Sequence, residues 1–221
     1  HGFAERKPGG GISKAGNDWA YQVRGGLYQW RFGGDNTGNT VLHFRWEDTL
    51  PCTWSSQDAK ASGNSCDTPT MVSPYRFTVF SKSGYEDNGG WKLEYWTNKG
   101  NHETVVYNKT TGLTLPEGEW ITRFTIDTDA APQSRPSAWL HGTVPTDFPK
   151  TEPADFASHY NPASQPERYY NYVASPDYVR FQNCASGTVT DKDSGRVLVQ
   201  NDNLCSWMRV RDEFPSVQAY K

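Results

Sequence analysis

The stretch "TVLHFRWED" at residues 40–48 decides the fold, because its apolar residues recur at every second position. In an extended chain Leu42, Phe44 and Trp46 point to one face, and His43 points to the other. Such alternation is typical of a strand that packs one face on a core and leaves the other toward solvent. We therefore expect a β-strand here, with His43 as a surface or cross-strand residue.

The same alternation recurs in other segments, and turn-forming stretches such as "FGGDNTGN" and "SGYEDNGG" separate them. The further predicted strands are 26–32, 75–82, 91–97, 102–108, 119–127, 177–189 and 205–211. No segment has a long helical period, although "TEPADFASHY" could form a short helix. The sequence thus predicts an all-β, immunoglobulin- or fibronectin-like antiparallel β-sandwich of seven to nine strands with long loops, in one domain spanning 1–221.

Composition excludes several classes of partner. The 221 residues carry a net charge of −3, and the lysines and arginines are scattered rather than clustered. Nucleic-acid binding proteins show a basic patch, which is missing from this sequence. The apolar runs are only a few residues long, far short of a spanning helix. We therefore expect neither nucleic acid nor a membrane as a partner.

Four cysteines, Cys52, Cys66, Cys184 and Cys205, fall into two local pairs separated by 14 and 21 residues. A zinc site fits poorly because no Cys-x-x-Cys motif is present. We predict the disulfides Cys52–Cys66 and Cys184–Cys205, which form in oxidising compartments. A glycosylation sequon at Asn108 agrees with this. The chain is therefore expected to be secreted, extracellular and glycosylated.

The chain begins "HGFAERKPGG", and removal of a secretion signal would leave His1 as the first residue. A free His1 offers an α-amine and an imidazole to one metal ion. The pKa of such an amine is about 7.7–8.0, so a metal can displace its proton near neutral pH. A second imidazole on the opposite side of the metal would complete a T-shaped set of three nitrogen ligands, an arrangement that favours copper.

Three further segments resemble one family. "WKLEYWTNKGNHETVVYN" (91–108) runs strand, short loop, histidine, strand; "LTLPEGEWITRF" (113–124) and "DYVRFQNCA" (177–185) follow. Together with the initial "HG", this layout resembles the lytic polysaccharide monooxygenases. The resemblance covers the first two residues and roughly 90–128 and 176–186, and no subfamily can be assigned.

The resemblance implies one copper ion per chain, held by His1 and His102 in a histidine brace. An aromatic ring on the metal axis stands three residues before a cysteine in this family. That position is Phe181, with Tyr178 as the alternative; ordinary core packing is the other interpretation of both.

The Pro-rich segment 129–176 is a long connection, and two interpretations of it stay open. It is either a functional loop or a connection without a functional role, in which "SAWLHGTV" forms a short strand. The resemblance would bring its ends near the metal, where His141 or His159 would donate a hydrogen bond, and His159 is preferred for its polar neighbours. Aromatic residues of this segment would form a sugar-binding surface: Trp139, Tyr160 and Tyr169.

The resulting hypothesis is a secreted copper-dependent monooxygenase that cleaves glycosidic bonds of a polysaccharide, using an external electron donor and O₂ or H₂O₂. Two alternatives stay open: a non-catalytic carbohydrate-binding sandwich, and a protein that binds copper only to store or deliver it. Carboxylate pairs such as Glu47/Asp48 do not by themselves indicate a glycosidase, since nothing in the sequence marks one as a raised-pKa acid. The polysaccharide and the carbon that is oxidised stay unassigned.

Overall fold

The computed structural model describes residues 5–15, 21–53, 68–80, 90–107, 111–148, 171–174 and 178–211. This part of the chain contains fifteen strands and no helix. The strands are β1 Gly10–Ala15, β2 Tyr21–Val23, β3 Leu27–Asn36, β4 Leu42–Thr49, β5 Cys52–Thr53, β6 Thr68–Pro69, β7 Val72–Phe80, β8 Trp91–Thr97, β9 His102–Tyr107, β10 Thr111–Leu113, β11 Ile121–Ala130, β12 Ser137–Thr143, β13 Asn171–Ala174, β14 Val179–Asp191 and β15 Val197–Arg211. These residues accordingly include no helix that could cross a membrane.

Two sheets form the layers of a sandwich. The small sheet has the order β1-β3-β12-β7-β10. The large sheet has the order β2-β15-β14-β4-β11-β8-β9, and β13 also pairs with β14. Neighbours are antiparallel in both sheets except for β2 and β15, which are parallel. The predicted all-β sandwich is confirmed.

The core lies between the two sheets and is built from the alternating apolar positions. Leu42, Phe44 and Trp46 of β4 are fully buried, as their spacing predicts. Phe32 of β3 reaches across from the small sheet and packs edge-on against Trp46 with ring centroids 6.3 Å apart, and against Phe124 at 5.6 Å. Offset and edge-on aromatic pairs of this kind add stability beyond the apolar area they bury.

All eight predicted strands are present, most with ends shifted by a few residues, and β15 begins eight residues before its predicted start. The remaining strands are mostly short, and β12 lies within the segment 129–176, at the position of "SAWLHGTV". It pairs with β3 on one side and with β7 on the other, so it is the centre of the small sheet. The candidate helix in "TEPADFASHY" lies outside the described residues.

One predicted disulfide is confirmed: Cys184 and Cys205 are bonded and join β14 to β15 at directly opposed positions. A disulfide is typical of proteins exposed to an oxidising environment, which is consistent with an extracellular location. Cys66 and Asn108 lie outside the described residues, so the Cys52–Cys66 bond and the glycosylation site stay predictions.

Candidate functional site

His102, a predicted copper ligand, begins β9 at the edge of the large sheet. Its side chain is 48% exposed, and its Nε2 lies 2.8 Å from Oε1 of Glu94 on the neighbouring strand. The imidazole also stacks on the Trp96 ring with centroids 4.5 Å apart. His1 lies outside the described residues, so the predicted copper site of His1 and His102 stays a prediction.

The first described residues lie at the other end of the large sheet from His102. Arg6 Nη2 is 2.6 Å from Oδ2 of Asp191, and Asp191 pairs with Leu42 at the first residue of β4. His102 is instead in register with Thr49, the last residue of β4, through β8 and β11. Seven residues of strand separate the two levels, about 23 Å along the strand direction.

Phe181 is not brought to His102. It is fully buried in the core, where its ring packs against Trp30 at 6.1 Å and Phe148 at 5.5 Å between centroids. β4, β11 and β8 separate its strand β14 from β9, which places the two strands roughly 19 Å apart. Tyr178, just before β14, has the same lateral separation. The surroundings of Phe181 are those of ordinary core packing, the alternative raised by its apolar position.

The two other described histidines, His43 and His141, lie on the two outer faces of the sandwich. His43 points away from the core, as predicted, and its Nδ1 is 2.8 Å from Oδ1 of Asp129 on β11. His141 lies on β12 beside Trp139, 5.8 Å between centroids, and burial, with a smaller effect of Arg76, lowers its pKa. Within the described ranges no three His, Cys, Asp or Glu side chains are grouped to hold a metal ion. His159, Tyr160 and Tyr169 lie outside those ranges.

The outer surface of the large sheet is a dense array of charged side chains. They come from the outward positions of β4, β8, β9 and β11, four strands that are consecutive in the sheet. We call this array the charged face and define it as His43, Arg45, Glu47, Lys92, Glu94, Trp96, His102, Arg123, Asp127 and Asp129. Because strands alternate, Glu47 belongs to this face whereas its neighbour Asp48 points into the core.

Ion pairs between neighbouring strands orient the side chains of the charged face. Arg123 Nη1 lies 3.1 Å from Oε1 of Glu47, and Arg45 Nη1 lies 3.3 Å from Oδ2 of Asp127. Lys92 Nζ approaches the same Asp127 oxygen at 3.8 Å. Exposed pairs of this kind add little stability, so their main effect is to fix the directions in which donors and acceptors point.

A trough runs along β11 in the middle of the charged face. Glu47, Thr125 and Glu94 lie in one row across β4, β11 and β8, so the strands of the two glutamates are about 10 Å apart. Thr125 is fully buried and Asp127 is only 7% exposed, although both point outward. The longer side chains of β4 and β8 therefore rise on both sides of the shorter ones on β11.

The Thr125 hydroxyl at the floor of the trough has no hydrogen-bond partner among the described residues. Buried hydroxyl groups usually have a partner, because leaving one unpaired costs free energy. Neighbouring side chains cover this hydroxyl, so it is a polar group that a ligand reaches only when they move aside.

One end of the trough is bounded by an aromatic stack. The Arg123 guanidinium lies 3.7 Å from the centroid of the Trp96 ring, and His102 stacks on the same ring from the strand on its other side. The small sheet carries a looser counterpart, in which Arg31 lies 5.9 Å from the Trp139 ring. Trp139, a predicted sugar contact, is thus on the opposite face of the molecule from the trough.

Sequence reasoning missed the charged face as a unit. The signal was available in the outward positions of the predicted strands, where Arg45, Glu47, Lys92, Glu94 and Trp96 alternate with core residues. What the sequence lacked was the strand order that brings these positions together.

Compared with known proteins, the chain matches no family model and no curated protein sequence.

Proposed function

We propose that the protein is a carbohydrate-binding β-sandwich that holds a polysaccharide chain in the trough of its charged face. The observation that carries this proposal is the row Glu47, Thr125 and Glu94, in which an unpaired buried hydroxyl lies between two carboxylates. A carbohydrate-binding sandwich is one of the alternatives to the copper enzyme that the sequence leaves open. The outer face of the large sheet favours it.

The chemistry of the charged face suits sugar hydroxyl groups. Every sugar hydroxyl both donates and accepts hydrogen bonds, so a binding site needs acceptors and donors side by side. Glu47 and Glu94 supply acceptors, and Arg45, Lys92 and Arg123 supply donors at the borders of the trough. The ion pairs among them already fix their geometry, which lowers the ordering cost when a ligand binds.

The shape of the charged face favours a chain over a single sugar. Its four strands span about 14 Å from β4 to β9, because neighbouring strands lie about 4.8 Å apart. The side chains of the charged face lie on the outer surface of the sheet, which suits a polymer that extends beyond the site at both ends. Arg123 and His102 cover the Trp96 ring from two sides, so the outer side of the stack, at His102, is the part that a sugar ring would contact.

Copper-dependent oxidation of the bound chain stays a prediction, because it requires His1. A protein that bound a polysaccharide in the trough and also held copper would meet both expectations, so the experiment below measures the two properties separately.

The test is a pull-down of the purified full chain on insoluble cellulose, chitin, xylan and pectin without reductant. We expect retention on one of these polymers and at least about tenfold weaker retention of Arg123→Ala, equivalent to roughly 1.4 kcal/mol. The matched control is Arg31→Ala, which removes the same side chain from beside Trp139 on the other sheet. Equal losses in the two variants, or no retention of the native protein on any polymer, would contradict the proposal.

A second arm adds copper and a reductant to the same polymers and analyses the released oligosaccharides. Oxidised products would establish the enzyme, and their absence with binding retained would leave a non-catalytic carbohydrate-binding protein. The two arms are independent, so the failure of one does not decide the other.

A further inference from the structure

Lys14 of β1 places an amine inside the sandwich. Its side chain is fully buried, and so is that of Asp48 on β4. Lys14 Nζ lies 3.2 Å from Oδ2 of Asp48 and donates a hydrogen bond to the backbone oxygen of Asn183 on β14 at 3.0 Å. A fully buried lysine is rare because removing its charge from water is costly, so its presence in this core needs an explanation.

The Asn183 side chain completes a group of three. It is fully buried, and its Nδ2 donates a hydrogen bond to Oδ2 of Asp48 at 3.0 Å. The amine of Lys14 and the carboxamide of Asn183 are therefore neighbours of one and the same oxygen atom. Trp30 covers the group, with its ring centroid 4.4 Å from Lys14 Nζ, and excludes water from it.

Hydrogen bonding within this group is incomplete. Oδ1 of Asp48 and Oδ1 of Asn183 are both buried without a partner in the described part of the chain. A half-satisfied buried polar network is costlier than an apolar core of the same shape. A purely structural ion pair therefore leaves two acceptors without an evident role.

Burial favours uncharged forms of both titratable groups. Desolvation lowers the pKa of Lys14 to about 8, although the attraction of Asp48 opposes the shift. Desolvation likewise raises the pKa of Asp48 above its ordinary value. The amine therefore loses its proton more readily than in water, and the carboxyl group keeps its proton more readily.

We propose that Lys14 and Asn183 react to form an intramolecular amide bond, with Asp48 as the acid and base that moves the protons. The bond would join β1 of the small sheet to β14 of the large sheet, at positions 169 residues apart. The inference is independent of the carbohydrate-binding proposal, because this group lies in the core and the trough lies on the outer face.

The reaction balances without any further reactant. Asn183 Nδ2 faces Asp48 in the structure, so the carboxamide first turns over to bring Oδ1 to the protonated Asp48. The lone pair of the neutral Lys14 Nζ then attacks Cγ of Asn183, while Asp48 donates its proton to Oδ1. Asp48 then takes a proton from Nζ and passes it to Nδ2, and the carbonyl re-forms as the bond from Cγ to Nδ2 breaks. Ammonia leaves, the proton on Oδ1 returns to Asp48, and no oxidant or reductant is consumed.

Asn183 is the better electrophile for Lys14 because Asp48 is then free to move protons. An amide between Lys14 and Asp48 would release water instead, and it would consume the acid of the group, since Asn183 does not titrate. The two products differ in mass, which makes the choice between them measurable.

The experiment is the intact mass of the full chain, purified from a host that does not glycosylate it, after incubation in the folded state at pH 8 and reduction of its disulfides. We expect a mass about 17 Da below that of the sequence, the mass of one ammonia. Proteolysis should then yield one branched peptide that contains both Lys14 and Asn183. The full sequence mass would overturn the proposal, and so would a deficit of about 18 Da with a branch between Lys14 and Asp48.

Two variants test whether Asp48 is the acid and base of the reaction. Asp48→Asn keeps the size of the side chain but removes the acid, and we expect it to show the full mass. Lys92→Arg is the matched control, because it replaces a lysine of the charged face, and we expect it to keep the deficit. Should Asp48→Asn fail to fold, the mass and the peptide map of the native chain still decide the question.

Discussion

Gly142 illustrates how closely the core of the small sheet is packed. It lies on β12, the central strand, and it is buried against Met71, which is itself fully buried. A methyl group added at Gly142 would overlap Cγ and Sδ of Met71. Only a residue without a side chain fits this point of contact.

We predict that Gly142→Ala lowers the free energy of unfolding by about 1–3 kcal/mol, the usual cost of overpacking a core. Denaturant titration of the purified variant measures the effect. Gly112→Ala on the edge strand β10 is the control, since nothing lies within 4 Å of its added methyl group. A Gly142→Ala protein as stable as the control would refute this view of the packing.

The pairing of β4 with β11 is the element on which the charged face depends. Asp129 of β11 accepts a hydrogen bond from His43 of β4 and forms an ion pair with Lys192, which follows β14. Burial raises the pKa of Asp129, but the hydrogen bonds from Lys192 and His43 outweigh it, so its pKa lies below the ordinary value. Three neighbouring strands are thereby tied together at one carboxylate.

The Asp129 carboxylate makes the stability of the fold depend on pH. A carboxyl group whose pKa is lower in the folded than in the unfolded protein stabilises the fold above its unfolded pKa, about 3.9. That contribution disappears as the pH falls through the folded pKa. We expect Asp129→Asn to lose less stability than the native protein between about pH 5 and pH 2.

Thermal unfolding measured across this pH range checks the expectation. Thr190→Ala is the control, because Thr190 pairs with His43 in the same row of the sheet and carries no ionisable group. Parallel pH profiles for the native protein and Asp129→Asn would show that this carboxylate does not contribute.

The elements differ in how far the sequence predicts them. Strands such as β4 and β8 alternate over seven or eight residues, so a period of two is sufficient to find them. β5, β6 and β10 have two or three residues each, too few to show any period. Their existence depends on the partner strand, which the local sequence does not contain.

The site was harder to predict than the strands for the same reason. Alternation places Glu47 and Glu94 on outward faces, but only the order β4-β11-β8 sets them on either side of Thr125. Lys14 was missed because a single lysine near an edge strand gives no periodic signal. The resemblance implies a metal-axis role for Phe181 and its apolar character implies core packing, and its inward position on β14 places its ring in the core.

At the scale of the whole molecule, β1 connects the two sheets at one side of the sandwich. This strand pairs with β3 in the small sheet, and it also contacts β14 and β15 of the large sheet. A covalent bond from Lys14 to Asn183 would close a loop of 169 residues in the unfolded chain. By analogy with a disulfide of that span, the loss of unfolded-state entropy would stabilise the fold by about 5 kcal/mol.

The same chain should therefore become more stable as the bond forms. We predict that Tm rises by roughly 10–20 °C in step with the loss of ammonia, as expected for about 5 kcal/mol in a domain of this size. Paired calorimetry and mass measurements on freshly folded and aged samples provide the comparison. A Tm that stays constant while the mass falls would contradict this estimate.

Strands β2 to β13 lie between Lys14 and Asn183 along the chain, so the link has a mechanical consequence. Tension applied to the two ends would pass from one residue to the other through a single amide. The long segment between them would carry none of the load and would not lengthen. The strands from β2 to β13 would thus stay folded under a load that pulls on the chain from both sides of the link.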